Sequence, residues 1–289
     1  MRRPVTLIVL QLLSVLPLTG LYRIAGLLAF FVGNSANQIS RKTRENLQLC
    51  FAELDSKAQK QLYRESIRHN CYTLTELAAV WFWPAEKTLA EIRCAEICPE
   101  FYQSTRARIL LCPHLGSWEV LAQWLGQKSQ AMMLYKQREN EALDSFIIEA
   151  RARTGGQPVA IDKGGLRQLL VGLKKGGTAM ILPDQRPGKG KARIASHFFG
   201  HAAPTTTLIQ NLCAKIECDV FIAVAFRSQP PGKFDLQISL LDEQLLGDDG
   251  LTSAGYMNEQ FEQLIKKHPS QYQWGYRRFD KPTYRNAVN

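Results

Sequence analysis

The sequence predicts an α/β protein: a mostly parallel sheet flanked by helices, preceded by an N-terminal apolar membrane-associated helix or hairpin. Three observations carry this. From about residue 105, short β-like runs alternate with segments whose apolar residues recur at helical spacing. Residues 4–33 are apolar almost throughout and follow two arginines. The chain has 289 residues, 45% of them hydrophobic, which is enough for a sizeable core and excludes a disordered protein.

The N-terminal stretch has three readings. A spanning helix needs about 20 apolar residues, and residues 4–22 come near that, although Pro17 and Gly20 weaken the end. A hairpin lying in the cytoplasmic leaflet fits the same break. The third reading is a buried core helix. "GNSANQ" is a poor cleavage site, which argues against a signal peptide. Arg2, Arg3 and Arg23 can hold lipid phosphates whether the segment spans or lies flat. If it spans, Arg2 and Arg3 favour a cytoplasmic N-terminus and would export the remainder. Seven cysteines at irregular spacing, with no CxxC pair, suit a reducing compartment and oppose export. The division expected is a membrane anchor or interfacial segment over 1–33 and a single catalytic domain over 34–289.

After residue 34 the pattern becomes soluble. "RKTRENLQLCFAEL" reads as a basic capped helix and a turn. Ser56 with Gln59 has the spacing of a capping box, opening a long helix that stops at Pro84. The apolar end of that helix, Trp81, Phe82 and Trp83, is read as core.

The alternation then begins. "RARILLC", "AMMLY", "QPVAI", "TAMILP", "CDVFIAVAF" and "FDLQISL" read as strands. "GSWEVLAQWLGQ", "NEALDSFIIEARAR", "KGGLRQLLVGLKKG" and "PTTTLIQNLCAKI" read as helices. Strand–helix alternation argues for a layered fold. The last two strands are joined by the short "RSQPPGK", which predicts an antiparallel edge pair. No repeat or low-complexity tract occurs.

Within this frame "LLCPHLGSWE" stands out. His114 falls at the carboxyl end of a strand and Glu119 in the first turn of the next helix. Carboxyl ends of parallel strands are where sites form in such sheets. On one continuous helix two residues five apart would point about 140° apart. The pair can meet only if the chain turns at Leu115–Gly116, which glycine permits. The expected geometry has Glu119 accepting from one ring nitrogen of His114, so that the other serves as a general base. Free amides at the helix start are candidates to hold an oxyanion or phosphate.

"HLGSWE" resembles the H-x(4)-D/E motif of the glycerolipid acyltransferases, in the form used by the late (lauroyl/myristoyl) acyltransferases of lipid A biosynthesis. The resemblance extends over roughly residues 1–283. It takes in "RENLQLCFAEL", "LYKQRENEALDSFIIEARARTGG", "ILPDQRPGKGKARIASHFFGHAAPTTT" and the closing "HPSQYQWGYRRFDKP". Several ordered motifs are far more specific than one. There are departures: Ser117 where many members carry Asn, Ala52 for Pro, Ser270 for Glu, and Arg186 with a Lys/Gly-rich stretch for Asp-Tyr-Gly. None touches His114 or Glu119.

The resemblance implies an acyl-carrier-protein thioester as donor. The implied acceptor is a hydroxyl on a 3-hydroxyacyl chain of a phosphorylated glycolipid, the lipid A precursor. Transfer would be direct, with no metal and no cofactor, at the cytoplasmic face of the bacterial inner membrane. His114 would be the base and Glu119 its orienter. Lys136, Arg151, Arg153 and Arg186 are candidates for the lipid phosphates, although each alone also reads as a solvated surface charge. Arg151 and Arg153 precede "TGG", read as a turn facing the same edge. Asp184 ends the strand "TAMILP" and is a candidate partner standing behind the residues that touch substrate.

Other readings stay open from the residues alone. The same chemistry could serve another lipid acceptor, with acyl-CoA as donor. A non-catalytic membrane lipid-binding protein would not need His114 and Glu119 intact. A thiol enzyme would use Cys112, which instead falls in a buried run. The net charge of +10 fits an anionic partner, but no recognition motif points to nucleic acid.

Overall fold

The computed structural model describes residues 4–188, 193–242, 249–280 and 283–284. Helices come first: α1 (Val5–Leu13), α2 (Leu18–Asn34), α3 (Gln38–Cys50), α4 (Ser56–Phe82) and the short α5 (Ala85–Leu89). Then follow β1 (Ile92–Ile97), α6 (Glu100–Gln103), β2 (Ala107–Leu111), α7 (Trp118–Ser129), β3 (Met132–Tyr135), α8 (Glu141–Ala152), β4 (Gln157–Ala160), α9 (Lys163–Lys174) and β5 (Thr178–Ile181). The chain closes with the hairpin β6 (Arg193–Phe198) and β7 (His201–Thr206), α10 (Leu208–Cys213), β8 (Cys218–Arg227), β9 (Phe234–Leu240) and α11 (Gly250–Lys267).

Seven strands form one sheet in the order β1-β9-β8-β2-β5-β3-β4. β8, β2, β5, β3 and β4 run parallel, and β9 turns back antiparallel against β8. The six strands read from sequence are all present, and the sheet is mostly parallel. The β8–β9 pair, expected at the edge, is covered by β1, which runs parallel to β9.

β2 shows why its sequence is apolar without alternation. Ile109 and Leu111 pack with α9 and α11 on one face, where Leu169, Leu173, Phe261 and Ile265 lie. Leu110 and Cys112 pack with α7 on the other, beside Leu121 and Leu125. A strand covered on both faces reads as a continuous hydrophobic run.

Helix starts follow their polar caps. The side chains of Asp55, Asn140 and Asp162 accept from Ala58, Leu143 and Gly165 N–H at the heads of α4, α8 and α9, each typically contributing about 1 kcal/mol. Asp55, not the expected Ser56–Gln59 box, caps α4; Gln59 instead donates to the Phe51 carbonyl at 2.9 Å. At the other end Trp83 is already extended ahead of Pro84, and Trp81 and Trp83 are buried as expected. "PTTTLIQNLCAKI" is helical only over α10, because Pro204–Thr206 belongs to β7.

Residues 5–34 form a broken pair of helices. Among the described residues no helix is long and apolar enough to cross a membrane. Arg2 and Arg3 lie outside the described residues. Leu10, Leu18, Leu21, Tyr22 and Ala25 are buried against Cys71, Tyr72, Ala78 and Ala79 of α4. The turn between the helices is pinned by Trp83, whose ring N–H donates to the Ser14 carbonyl at 2.6 Å. The opposite face leaves Val9, Leu12, Val15, Leu27, Phe30 and Phe31 uncovered, both phenylalanines about two-thirds exposed at 67% and 68%. One face of the segment is thus core, as in the third reading, and the other is unburied hydrophobic surface.

Candidate active site

Strand register builds the site. Leu111 of β2 pairs with Ile181 of β5, and Cys112 N–H donates to the Ile181 carbonyl at 2.9 Å. His114 and Asp184 each lie three residues beyond those paired ends, so parallel neighbours deliver them side by side. Asp184 Oδ1 accepts from His114 Nδ1 at 2.8 Å, and its Oδ2 accepts from the His114 backbone N–H at 3.0 Å. Tyr272 donates a further hydrogen bond to the same carboxylate.

The electrostatics follow. Burial pushes the Asp184 carboxyl up, but His114 and these hydrogen bonds outweigh it and hold the group below the usual carboxylate range. Burial, reinforced by the Asp184 charge, keeps the Tyr272 hydroxyl protonated well beyond its ordinary range. An ionised Asp184 accepting at Nδ1 fixes the tautomer: Nδ1 carries the hydrogen and Nε2 carries a lone pair. That lone pair faces Gln185, whose amide nitrogen donates to Nε2 at 3.1 Å. A small cavity opens here between His114, Asp184, Gln185, Tyr272, Tyr276 and Arg278.

The loop carrying His114 is fastened by the closing segment. Gln273 N–H donates to the His114 carbonyl at 2.9 Å, and Gly116 N–H to the Gln271 carbonyl at 3.1 Å. Ser117 N–H donates to the Ala225 carbonyl of β8 at 2.8 Å. Gly116 has a φ of +67°, and a Cβ there would stand 2.1 Å from the Ala225 oxygen. The turn expected at Leu115–Gly116 is therefore present, and only glycine fits it. Asn46 of α3 anchors the closing segment in turn, donating to the Trp274 and Tyr276 carbonyls at 2.7 Å each.

Glu119 sits in the first turn of α7, as expected, but does not hold His114. Its Oε2 accepts from Trp81 Nε1 at 3.3 Å and from Arg151 Nε at 3.2 Å, and its Oε1 pairs with Arg151 Nη2. Burial raises the Glu119 carboxyl and Arg151 outweighs it, so the net shift is downward. The physical reason for the correction is direction: α7 turns Glu119 toward α4 and α8, while the neighbouring strand supplies Asp184. The five-residue spacing from His114 to Glu119 does not show which way α7 turns Glu119, and it carries no trace of the parallel pairing of β2 with β5.

The four cationic candidates separate. Arg151 is committed to Glu119. Arg153 donates to the Val80, Trp83 and Ala150 carbonyls at 2.9, 3.2 and 3.4 Å, closing the end of α4. Neither stands free for a phosphate. Lys136 is exposed immediately after β3, and Arg186, just past the Asp184–Gln185 pair, bridges to Asp280 at 2.5 Å with both side chains partly exposed. These two stay at the carboxyl edge of the sheet. Cys112 is fully buried, and burial pushes its thiol well up, which disfavours a thiolate nucleophile. Sequence reasoning singled out none of Gln185, Tyr272 and Arg278; each falls only within a stretch that carries the resemblance, "ILPDQ" for the first and "HPSQYQWGYRRF" for the other two.

A second polar cluster lies behind the site. Arg227, at the end of β8, is wholly buried and donates through Nε and Nη2 to Glu76 of α4 at 2.6 and 2.7 Å. Tyr22 of α2 hydrogen-bonds the same carboxylate. The Arg227 backbone N–H and carbonyl are bracketed by the Gln271 amide at 2.8 and 2.9 Å. Gln271 is also the residue that accepts from Gly116, so the cluster reaches the His114 loop.

Comparison with known proteins decides the family. The family model described as bacterial lipid A biosynthesis acyltransferase matches residues 4–281. The chain belongs to this family. It is an acyltransferase. It is 26% identical over 275 residues to the lipid A biosynthesis lauroyltransferase of Escherichia coli (strain K12), covering 94% of this chain and 89% of that one. It is 24% identical over 238 residues to the palmitoleoyltransferase of the same strain, covering 82% and 77%. Against the myristoyltransferase of that strain the figures are 23% over 249 residues, 84% and 76%. The resemblance read from the ordered motifs is thus the family to which the acyltransferase belongs.

Proposed function

We propose that the protein transfers a fatty acyl chain from an acyl-carrier-protein thioester to a hydroxyl of a 3-hydroxyacyl chain on a lipid A precursor. His114 is the general base, and the transfer is direct. The observation carrying this is the His114–Asp184 pair, which leaves the Nε2 lone pair facing a cavity at the carboxyl edge of the sheet. The acceptor O–H gives its proton to Nε2 while its oxygen attacks the thioester carbonyl. The tetrahedral oxyanion collapses, the C–S bond breaks, and the leaving thiolate takes the proton back from the imidazolium. The products are an ester and the free carrier thiol. No side chain caps the head of α7, and its first-turn amides are the proposed donors to the oxyanion.

Asp184 takes the orienting role that was expected of Glu119. Glu119 acts at a distance from the reacting atoms, fixing α7 against α4 and α8 through Trp81 and Arg151. Lys136 and Arg186 are proposed to meet the acceptor phosphates. The unburied face of α1 and α2 is proposed to lie on the cytoplasmic face of the inner membrane, where patches of this kind bury themselves in the interface. The basic balance of the chain, 36 Lys and Arg against 26 Asp and Glu, favours an acidic carrier as donor.

The test is mass spectrometry of products from purified full-length protein, acyl-carrier-protein thioesters of several chain lengths and tetra- or penta-acylated lipid A precursor. An ester product that is lost in His114→Ala is expected. Transfer at near wild-type rate by His114→Ala rejects the mechanism.

A further inference from the structure

We propose that Gln185 is a latch on the base: its amide occupies the His114 Nε2 lone pair until the acceptor hydroxyl displaces it. This rests on the reading of His114 as general base.

A neutral imidazole has one donor and one acceptor. Nδ1 is the donor, committed to Asp184 at 2.8 Å. Nε2 is the acceptor, and the Gln185 amide nitrogen stands 3.1 Å from it. The same amide nitrogen lies 3.3 Å from Gln273 Oε1. Both amide hydrogens are thus placed, one on the base and one on a neighbour whose own backbone N–H donates to the His114 carbonyl at 2.9 Å. Gln185 and Gln273 close a ring of hydrogen bonds around the reactive nitrogen.

A lone pair that already accepts an N–H cannot take a proton from anything else. In the resting enzyme this disarms His114 toward water. Without the latch, water gives a proton to Nε2, its oxygen attacks the donor thioester, the C–S bond breaks, and the thiolate recovers the proton. The products are a free fatty acid and a spent carrier. An acceptor hydroxyl differs from water in being held by the rest of a large lipid, so it can compete for the place. As its O–H turns to Nε2, its oxygen can accept from the displaced Gln185 N–H. The bond broken is replaced and not left unmade. Gln185 is only half-buried, which leaves room for its side chain to swing.

Carbethoxylation by diethyl pyrocarbonate reads the lone pair without any turnover. Full-length protein in detergent is treated without substrates, and each histidine is followed by peptide mass spectrometry. In Gln185→Ala, His114 should be modified about five-fold faster, the factor that one net hydrogen bond is worth. The ratio of fatty acid to ester formed from an acyl-carrier-protein thioester should rise with it. In Gln185→Glu the carboxylate should accept from Nε2–H and hold the imidazolium, so both hydrolysis and transfer fall. An unchanged rate of His114 modification in folded Gln185→Ala overturns the latch. So does a faster modification with hydrolysis and transfer still in their original ratio. Transfer by His114→Ala would instead overturn the base, and the modification result would stand apart from it.

Discussion

Asp184 grips His114 twice, at the ring through Nδ1 (2.8 Å) and at the backbone through N–H (3.0 Å). One carboxylate thereby sets both the tautomer of the imidazole and the position of the loop that bears it. Asp184→Asn should keep the shape and lose the bias toward an Nδ1 hydrogen. Transfer is expected to fall by about 10²–10⁴-fold, the usual worth of general-base assistance, with the circular dichroism spectrum unchanged. Near wild-type turnover in this variant would return the orienting role to another residue.

Glu119 and Arg151 should behave as a structural pair. Glu119→Ala leaves a largely buried guanidinium without its carboxylate and should destabilise the protein by about 3–5 kcal/mol. Replacing both, as Glu119→Leu with Arg151→Met, should recover most of that loss, since no charge is then stranded. Denaturant unfolding of the two single variants and the double variant measures the coupling. Additive losses would mean that the pair is not the unit that matters.

Gly116→Ala asks for a Cβ 2.1 Å from the Ala225 oxygen at a φ of +67°. The conformation alone costs roughly 1–2 kcal/mol, and the overlap must push the His114 loop off β8. A lowered melting temperature together with a loss of transfer is expected. An alanine variant with wild-type stability would show that the loop is not seated on β8 as described.

Stability should depend on pH through His69. This ring is buried in α4, and burial, with the nearby charge of Arg227, depresses its pKa from 6.5 to about 3. The unfolded chain therefore binds the proton that the folded chain refuses. The contribution is complete above the unfolded value of 6.5 and is lost as pH falls toward about 3. Asp184 and Glu119, both held below the ordinary range, add a loss only below about pH 4. His69→Phe should flatten the upper part of that decline, between pH 6 and about 4. Denaturation midpoints across this interval decide it, and identical slopes in wild type and variant would exclude His69 as the source.

Much of this was legible in the chain, and the gaps have physical reasons. β2, β3, β5 and β8 announce themselves because both faces of the sheet are covered there, which leaves unbroken apolar runs such as "RILLC", while β9 shows as an alternating run. β1 does not, since Arg93 and Glu96 interrupt it and, among the described strands, it pairs with β9 alone. The β6–β7 hairpin was hidden by alanines, Pro204 and threonines, and by a turn at Phe199–Gly200 where both residues have positive φ. His114 was found from its place after a strand. Asp184 is legible as a candidate partner from its own strand end, but spacing along the chain gives the orienting role to Glu119, because it reports neighbours in sequence and Asp184 meets His114 through register, 70 residues away. Each of the three readings of the N-terminal stretch treats it as uniform, whereas one face is packed on α4 and the other is uncovered.

That two-faced hairpin decides how the protein can be made tractable in water. Trimming the first 33 residues looks like the obvious simplification. It would also strip Tyr22 from Glu76, lay bare the apolar side of α4, and loosen the Arg227 cluster whose far end is the Gln271 contact to Gly116. Repainting is the better course. Polar replacements at Val15, Leu27, Phe30 and Phe31 change only the uncovered side and leave Leu21, Tyr22 and Ala25 in their seats. A repainted full-length chain should stay folded with less detergent, while the shortened one should aggregate; the reverse result would mean that the seat on α4 contributes nothing.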